Sequence, residues 1–140
     1  MNHPTLVARW RSWAPYLLSI LRILAAFLFF HVGSAKLLAF PVAVMPDGGT
    51  APLTSLAGVA GALEVVGGTL LLLGLFTRPV AFVVSGEMAF AYFIGHAPQG
   101  FWPVLNRGEL AALYSFVFLY LAVAGGGSWS IDYCWRRSES

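Results

Sequence analysis

Apolar residues in this chain fall in long continuous runs rather than in alternation, and the breaks between runs are short and rich in Gly, Pro and Asn. A continuous apolar run of about 20 residues matches a helix that crosses a bilayer. Four segments of this kind are predicted. The first covers residues 14–39 and stops at Phe40-Pro41. The second covers 55–76, after "MPDGGTAPLT", with Thr54 as the N-cap. The third covers 78–96, where Thr77 offers a capping hydroxyl and Pro79 sits in the first turn, which needs no N–H. The fourth covers 107–124, entered through Asn106 and closed by Gly125-Gly126-Gly127. Spanning β-strands would alternate apolar and polar positions, so a barrel is excluded. No internal repeat is evident. The expected fold is therefore all-α, an integral membrane four-helix bundle in a single domain over residues 1–140.

Helical spacing then sorts the few small and polar residues onto faces. In the second segment Ala60, Glu64, Gly67, Leu71 and Gly74 recur every three or four residues, forming one stripe. Small residues let helix backbones approach closely in lipid, so Glu64 is expected on the packed face. The first segment repeats the pattern with Arg22, Ala26, Phe29, Gly33 and Lys36, while His31 lies well away from Lys36 around the helix. The third places Glu87, Ala91 and Ile94 together, with His96 on the opposite side but at the helix end. The fourth offers Glu109, Leu113, Phe116 and Tyr120.

Composition strengthens the membrane assignment. Charged residues are 10% of the chain and hydrophobic residues 59%, against about 25% charged in soluble domains. The net charge of +2 is spread out, which excludes a nucleic-acid surface. The single cysteine, Cys134, excludes dithiol chemistry within the chain. Arg9 and Arg11 precede the first apolar run, but that run is too long for a signal peptide and is read as a retained helix. Arg9, Arg11, Arg78, Arg136 and Arg137 fall on one side of the four predicted segments, while loops 40–54 and 97–106 contain no Lys or Arg. Both termini are therefore expected to be cytoplasmic. Trp10, Trp13, Tyr16, Trp129, Tyr133 and Trp135 would form the aromatic belt on that side, and Phe101 and Trp102 would mark the other.

Candidate chemistry follows from depth. At about 1.5 Å of rise per residue, Glu64 and Glu87 lie near mid-membrane. Lys36, His96, Arg107 and Glu109 gather toward the outer side, and Arg22 stands alone toward the cytoplasmic side. A charge at the bilayer centre costs at least ~2.5–3.5 kcal/mol and usually faces a bundle interior or cavity. The two carboxylates need neutralising by Lys36, by His31 or by protonation. The functional reading is a polar intramembrane pocket, with Glu64 and Glu87 exchanging protons and Arg22, Lys36, His96 and Glu109 contributing to ligand binding. The structural reading is a charge set that fixes helix register, and for Glu109 a capping box with Asn106. No E-x-x-H or H-x-x-x-H spacing supports a metal site, and no phosphate loop, G-x-S-x-G or haem-attachment motif is present.

Five stretches in register resemble the DoxX family of small four-helix membrane proteins: "LRILAAFLFFHVGSAKL", "GALEVVGGTLLLLGLFTR", "EMAFAYFIGHAPQGFWP", "NRGELAALY" and "GGGSWSIDY". Val32 stands where the family often has a histidine before the helix 1 glycine, with His31 one residue earlier. The resemblance implies a multi-pass protein of the bacterial inner membrane. It also implies a link to quinone-dependent oxidation or to membrane and exported redox partners. The leading expectation is a redox-associated subunit that uses a quinone, with no redox centre of its own encoded and with oligomerisation open. The alternative is a non-catalytic accessory or assembly subunit of a membrane complex.

Overall fold

The computed structural model describes residues 6–138, and among them every regular element is helical. The elements are α1 (Leu6–Leu38), α2 (Leu56–Leu73), α3 (Thr77–Ala91), α4 (Pro103–Asn106), α5 (Glu109–Ala124) and α6 (Ile131–Ser138). A wide π-type turn, Tyr92–His96, and a tight turn, Ala97–Gln99, prolong α3. Three segments are long and apolar enough to cross a membrane: Leu6–Leu38, Leu56–Leu73 and Thr77–Gln99. The fourth expected span, α5, is apolar but has 16 residues. Its rise of about 24 Å is short of the roughly 30 Å hydrocarbon core.

The ends of the helices depart from the predicted ones for local reasons. α1 begins before Ala14 and carries Pro15 within it. Ser55, not Thr54, caps α2, its Oγ accepting from Gly58 N–H at 3.0 Å. α2 ends at Leu73 because Gly74 takes a left-handed conformation with φ 67°, and Leu75 N–H then donates to Leu70 O at 2.9 Å. Thr77 does not cap α3: its hydroxyl is buried and unpartnered among the described residues. Asp132 does so from 55 residues away. Its two carboxylate oxygens accept from Phe76 N–H at 2.8 Å and Thr77 N–H at 2.7 Å. The expected Asn106–Glu109 capping box is absent as well. Asn106 Oδ1 accepts from Gly108 N–H at 2.8 Å, Arg107 turns left-handed, and α5 starts only at Glu109 with Gly108 as an N-cap that offers no side chain.

α1 lies along α2, and α3 lies along α5; the two pairs meet chiefly where α2 faces α3. Glycine sets the α1–α2 spacing. A Cβ on Gly33 would stand 2.7 Å from Glu64 Cβ and 2.8 Å from Gly61 O, so any side chain there would push the helices apart. Between the pairs lies the apolar core, with Ala26, Phe29, Leu71, Val84, Phe118 and Leu121. Phe29 meets Phe118 edge-on at 4.9 Å, and Tyr114 stacks on Phe118 at 5.5 Å. Ser85 Oγ donates to Ser115 O at 2.7 Å and ties α3 to α5.

The predicted inward stripes of the first two helices are inward. Arg22, Ala26, Phe29 and Gly33 are buried, as are Glu64, Gly67, Leu71 and Gly74. On the other two helices the packed face is not the stripe that carries the glutamate. α3 buries Thr77, Ala81, Val84, Ser85 and Met88, which leaves Glu87 at the edge of the packed face and Ile94 exposed. α5 buries Ala111, Phe118 and Leu121, while Glu109, Leu113, Phe116 and Tyr120 are exposed.

Candidate functional site

Lys36 lies close to the last turn of α1, opposite the middle of α2. Gly61 leaves room for its stem, since a Cβ there would meet Lys36 Cβ at 3.2 Å. The ammonium reaches Glu64, with Nζ 2.6 Å from Oε1. Exposure is lopsided, 23% for the lysine side chain against 1% for the glutamate. Glu64 Oε2 is buried and has no hydrogen-bond partner among the described residues. Glu64 is thus ion-paired through one oxygen and unsatisfied at the other.

Glu87 approaches from α3. Both of its carboxyl oxygens are buried and have no partner among the described residues, and it interacts electrostatically with Glu64 and Lys36. One cation therefore serves two carboxyls. With both ionised the set would carry one uncompensated negative charge, which burial penalises severely. Neutrality needs one proton on the carboxyls or a second cation. Buried polar atoms are nearly always partnered, so Glu64 Oε2 and both Glu87 oxygens stand out as three free acceptors among the described residues.

A cleft of about 550 Å³ opens beside this cluster, between α2 and α3. Its walls are apolar, with Ala60, Leu63, Val83 and Phe90 prominent, and its polar side chains are Glu87 and His96. The nine-residue separation puts these two about 13 Å apart along the helix. His96 Nδ1 lies 2.9 Å from Asn106 O. A carbonyl only accepts, so Nδ1 carries the hydrogen, and in the neutral ring Nε2 is an acceptor. Asn106, itself buried, is held by Nδ2 donating to Gly100 O at 2.7 Å.

The six candidate residues thus divide. Lys36, Glu64 and Glu87 form one charge cluster, and Glu87 and His96 border the cleft beside it. Glu109 is exposed in the first turn of α5 and lies outside the cleft lining. A carboxylate there suits the positive end of the helix dipole. Arg22 lies apart from the cleft and is fully buried among backbone carbonyls. Its Nε donates to Gly126 O at 2.8 Å, Nη2 to Trp129 O at 2.6 Å, and Nη1 to Leu72 O at 2.7 Å and also to Leu71 O. It fastens the end of α2 to the segment that follows α5. Asp132, with both oxygens on the start of α3, belongs to the same tie and was not among the sequence candidates. Only its place beside arginines in a belt of aromatic residues hinted at a structural role. Among the described residues no group of three or more His, Cys, Asp or Glu is arranged to hold a metal.

A family model for DoxX matches residues 17–97, which takes in α1 from Leu17 onward, α2 and α3 with the whole charge cluster. The chain belongs to the DoxX family. Family membership and its apolar helices together make it a multi-pass integral membrane protein. A Haemophilus influenzae (strain Rd) protein, itself described as uncharacterised, is 48% identical over 124 residues, covering 86% of this chain and 92% of that protein. No solved structure matches this DoxX family chain.

Proposed function

We propose that this protein is a redox-associated subunit of a bacterial inner membrane that holds a quinone-like ligand in the α2–α3 cleft and exchanges protons with it. The observation that carries the reading is Glu87, whose two buried oxygens, unpartnered among the described residues, belong to a side chain bordering an apolar cleft of about 550 Å³. Such a volume is within the range of small-molecule sites, which combine apolar walls with a few polar groups. A flat lipophilic ring with oxygen substituents fits that donor and acceptor set. When bound, a quinone supplies coupled uptake or release of electrons and protons. Electrons are delivered by a partner protein in this reading, and both ends of the chain face the cytoplasm.

The residues divide the task. Glu87 holds or gives up a proton at its carboxyl, next to the ligand. Lys36 holds Glu64 through one oxygen and keeps the cluster near neutrality as a proton comes or goes. His96, oriented by Asn106 O, presents Nε2 as a second polar contact at the far end of the cleft. The apolar walls exclude water, which strengthens each electrostatic interaction.

The test is quinone reduction in membranes containing the wild-type chain, Glu64→Gln or Glu87→Gln. Glutamine keeps the shape but exchanges no proton, and positioned acid–base groups contribute ~10²–10⁴-fold. A loss of at least about tenfold with Glu87→Gln is expected, and wild-type rates in both variants would remove the proposal. The alternative is an accessory or assembly subunit without catalysis, in which the exposed apolar helix faces meet another protein as well as lipid. Purification in mild detergent separates the two: a stoichiometric partner protein with no retained small molecule supports the second.

A further inference from the structure

A second cavity, of about 360 Å³, lies at the opposite end of α3 and shares no lining residue with the α2–α3 cleft. Its place is where α2 and α5 end and α3 begins, beside α6. Phe76, Pro79 and Trp135 supply apolar walls, and Arg78 and Arg136 supply cations. Phe76 and Trp135 meet edge-on at 6.2 Å.

The polar groups of this cavity are biased to donors. Arg78 Nη1 donates to Val123 O at 2.5 Å and Ala122 O at 3.5 Å, which fixes the guanidinium at the end of α5 and leaves Nε and Nη2 uncommitted. Arg136 Nε donates to Asp132 O at 3.2 Å, leaving its two terminal nitrogens. Asp132 is the sole acidic residue in the lining, and both of its oxygens are already held by the Phe76 and Thr77 N–H groups. Thr77, whose buried hydroxyl has no partner among the described residues, also borders the cavity. Among the described residues the lining thus holds two guanidiniums against one carboxylate, a net positive charge, with the carboxylate oxygens already engaged.

We infer that this cavity binds the phosphate of an anionic phospholipid headgroup. Guanidinium forks match phosphate oxygens geometrically. Free phosphate shares that chemistry, but the aromatic wall and the position at the ends of the spanning helices select a lipid. Phe76 and Pro79 sit where the start of an acyl chain would run, and the volume suits a headgroup rather than a whole lipid. Trp and Tyr concentrate at this depth in membranes, and Trp129, Tyr133 and Trp135 all lie in the segment around α6.

The experiment is native mass spectrometry of the full chain, delipidated in detergent and titrated with phosphatidylglycerol, phosphatidylcholine or inorganic phosphate. One phosphatidylglycerol is expected to be retained in preference to phosphatidylcholine. Arg136→Gln, on the exposed α6, should weaken that binding about fivefold, and Arg78→Gln should do the same. Arg11→Gln, outside the cavity, should leave it unchanged. Thermal melting of each variant identifies any that has unfolded, and Arg136→Gln carries the test if Arg78→Gln does not fold. Equal retention of phosphatidylcholine, or undiminished phosphatidylglycerol binding in Arg136→Gln, would overturn the inference. Displacement of the lipid by millimolar inorganic phosphate would equally overturn the lipid assignment.

Discussion

At the residue scale, the Lys36–Glu64 pair should behave as a buried ion pair with one leaky side. Removing one partner of such a pair strands a charge, whereas replacing both with apolar or neutral groups is often nearly neutral. Lys36→Met is expected to destabilise the purified protein by about 2 kcal/mol, below the full buried-pair penalty because the lysine is partly exposed. Adding Glu64→Gln to Lys36→Met should recover most of that loss. A double-mutant cycle of thermal unfolding in detergent measures the coupling, and additive losses would show that the pair is not energetically linked. The inward placement of Glu64 was legible in the sequence because glycines shared its stripe. Lys36 was one of the cations the sequence offered as its partner, but the choice between it and His31 was not legible, since helical phasing within each segment says nothing about how the two helices are rotated against each other.

At the element scale, the start of α3 and the end of α2 are tied by residues distant in sequence, whereas the start of α2 has its local cap in Ser55. The sequence offered Thr77 for α3 and Asn106 with Glu109 for α5, and neither cap forms. Local motif reasoning assumes that orphan N–H groups find the nearest side chain. Here the start of α3 takes a carboxylate from α6, and the end of α2 takes a guanidinium from α1. The packed faces of α3 and α5 were not legible for another reason. Lipid is as apolar as a protein core, so an apolar position carries no mark of inside or outside, and only small or polar residues do. α5 has few of those, and its one charged residue, Glu109, is exposed. Asp132→Ala should therefore destabilise α3 at its start, by about 1 kcal/mol as for loss of an N-cap. Hydrogen exchange at the Phe76 and Thr77 amides should accelerate while amides in the middle of α3 stay protected. Unchanged protection at those two amides would show that the Asp132 cap adds nothing.

At the scale of the whole molecule, stability and ligand binding are separable because the cleft lies between helix pairs rather than within one. α1 with α2 and α3 with α5 each close over small residues or a shared hydrogen bond, and the seam between α2 and α3 is left with room. Gly86 lies on that seam. It lines the cleft, and a Cβ placed on it meets nothing within 4 Å. A leucine there would occupy the cleft without displacing either helix. Replacing a helical glycine also removes a cost of about 0.8–1 kcal/mol in helix propensity. Gly86→Leu is thus expected to melt at the wild-type temperature or slightly above it, while losing ligand-dependent activity and any small molecule that co-purifies with the wild-type chain. Gly33→Leu, which would force α1 from α2 at Glu64 Cβ and the Gly61 and Val65 backbone, should lose both stability and activity. The comparison is read from thermal melts, activity in membranes and the mass of extracted small molecules. A Gly86→Leu protein that is stable and still active would place the functional surface elsewhere, because a filled cleft cannot admit a ligand between α2 and α3.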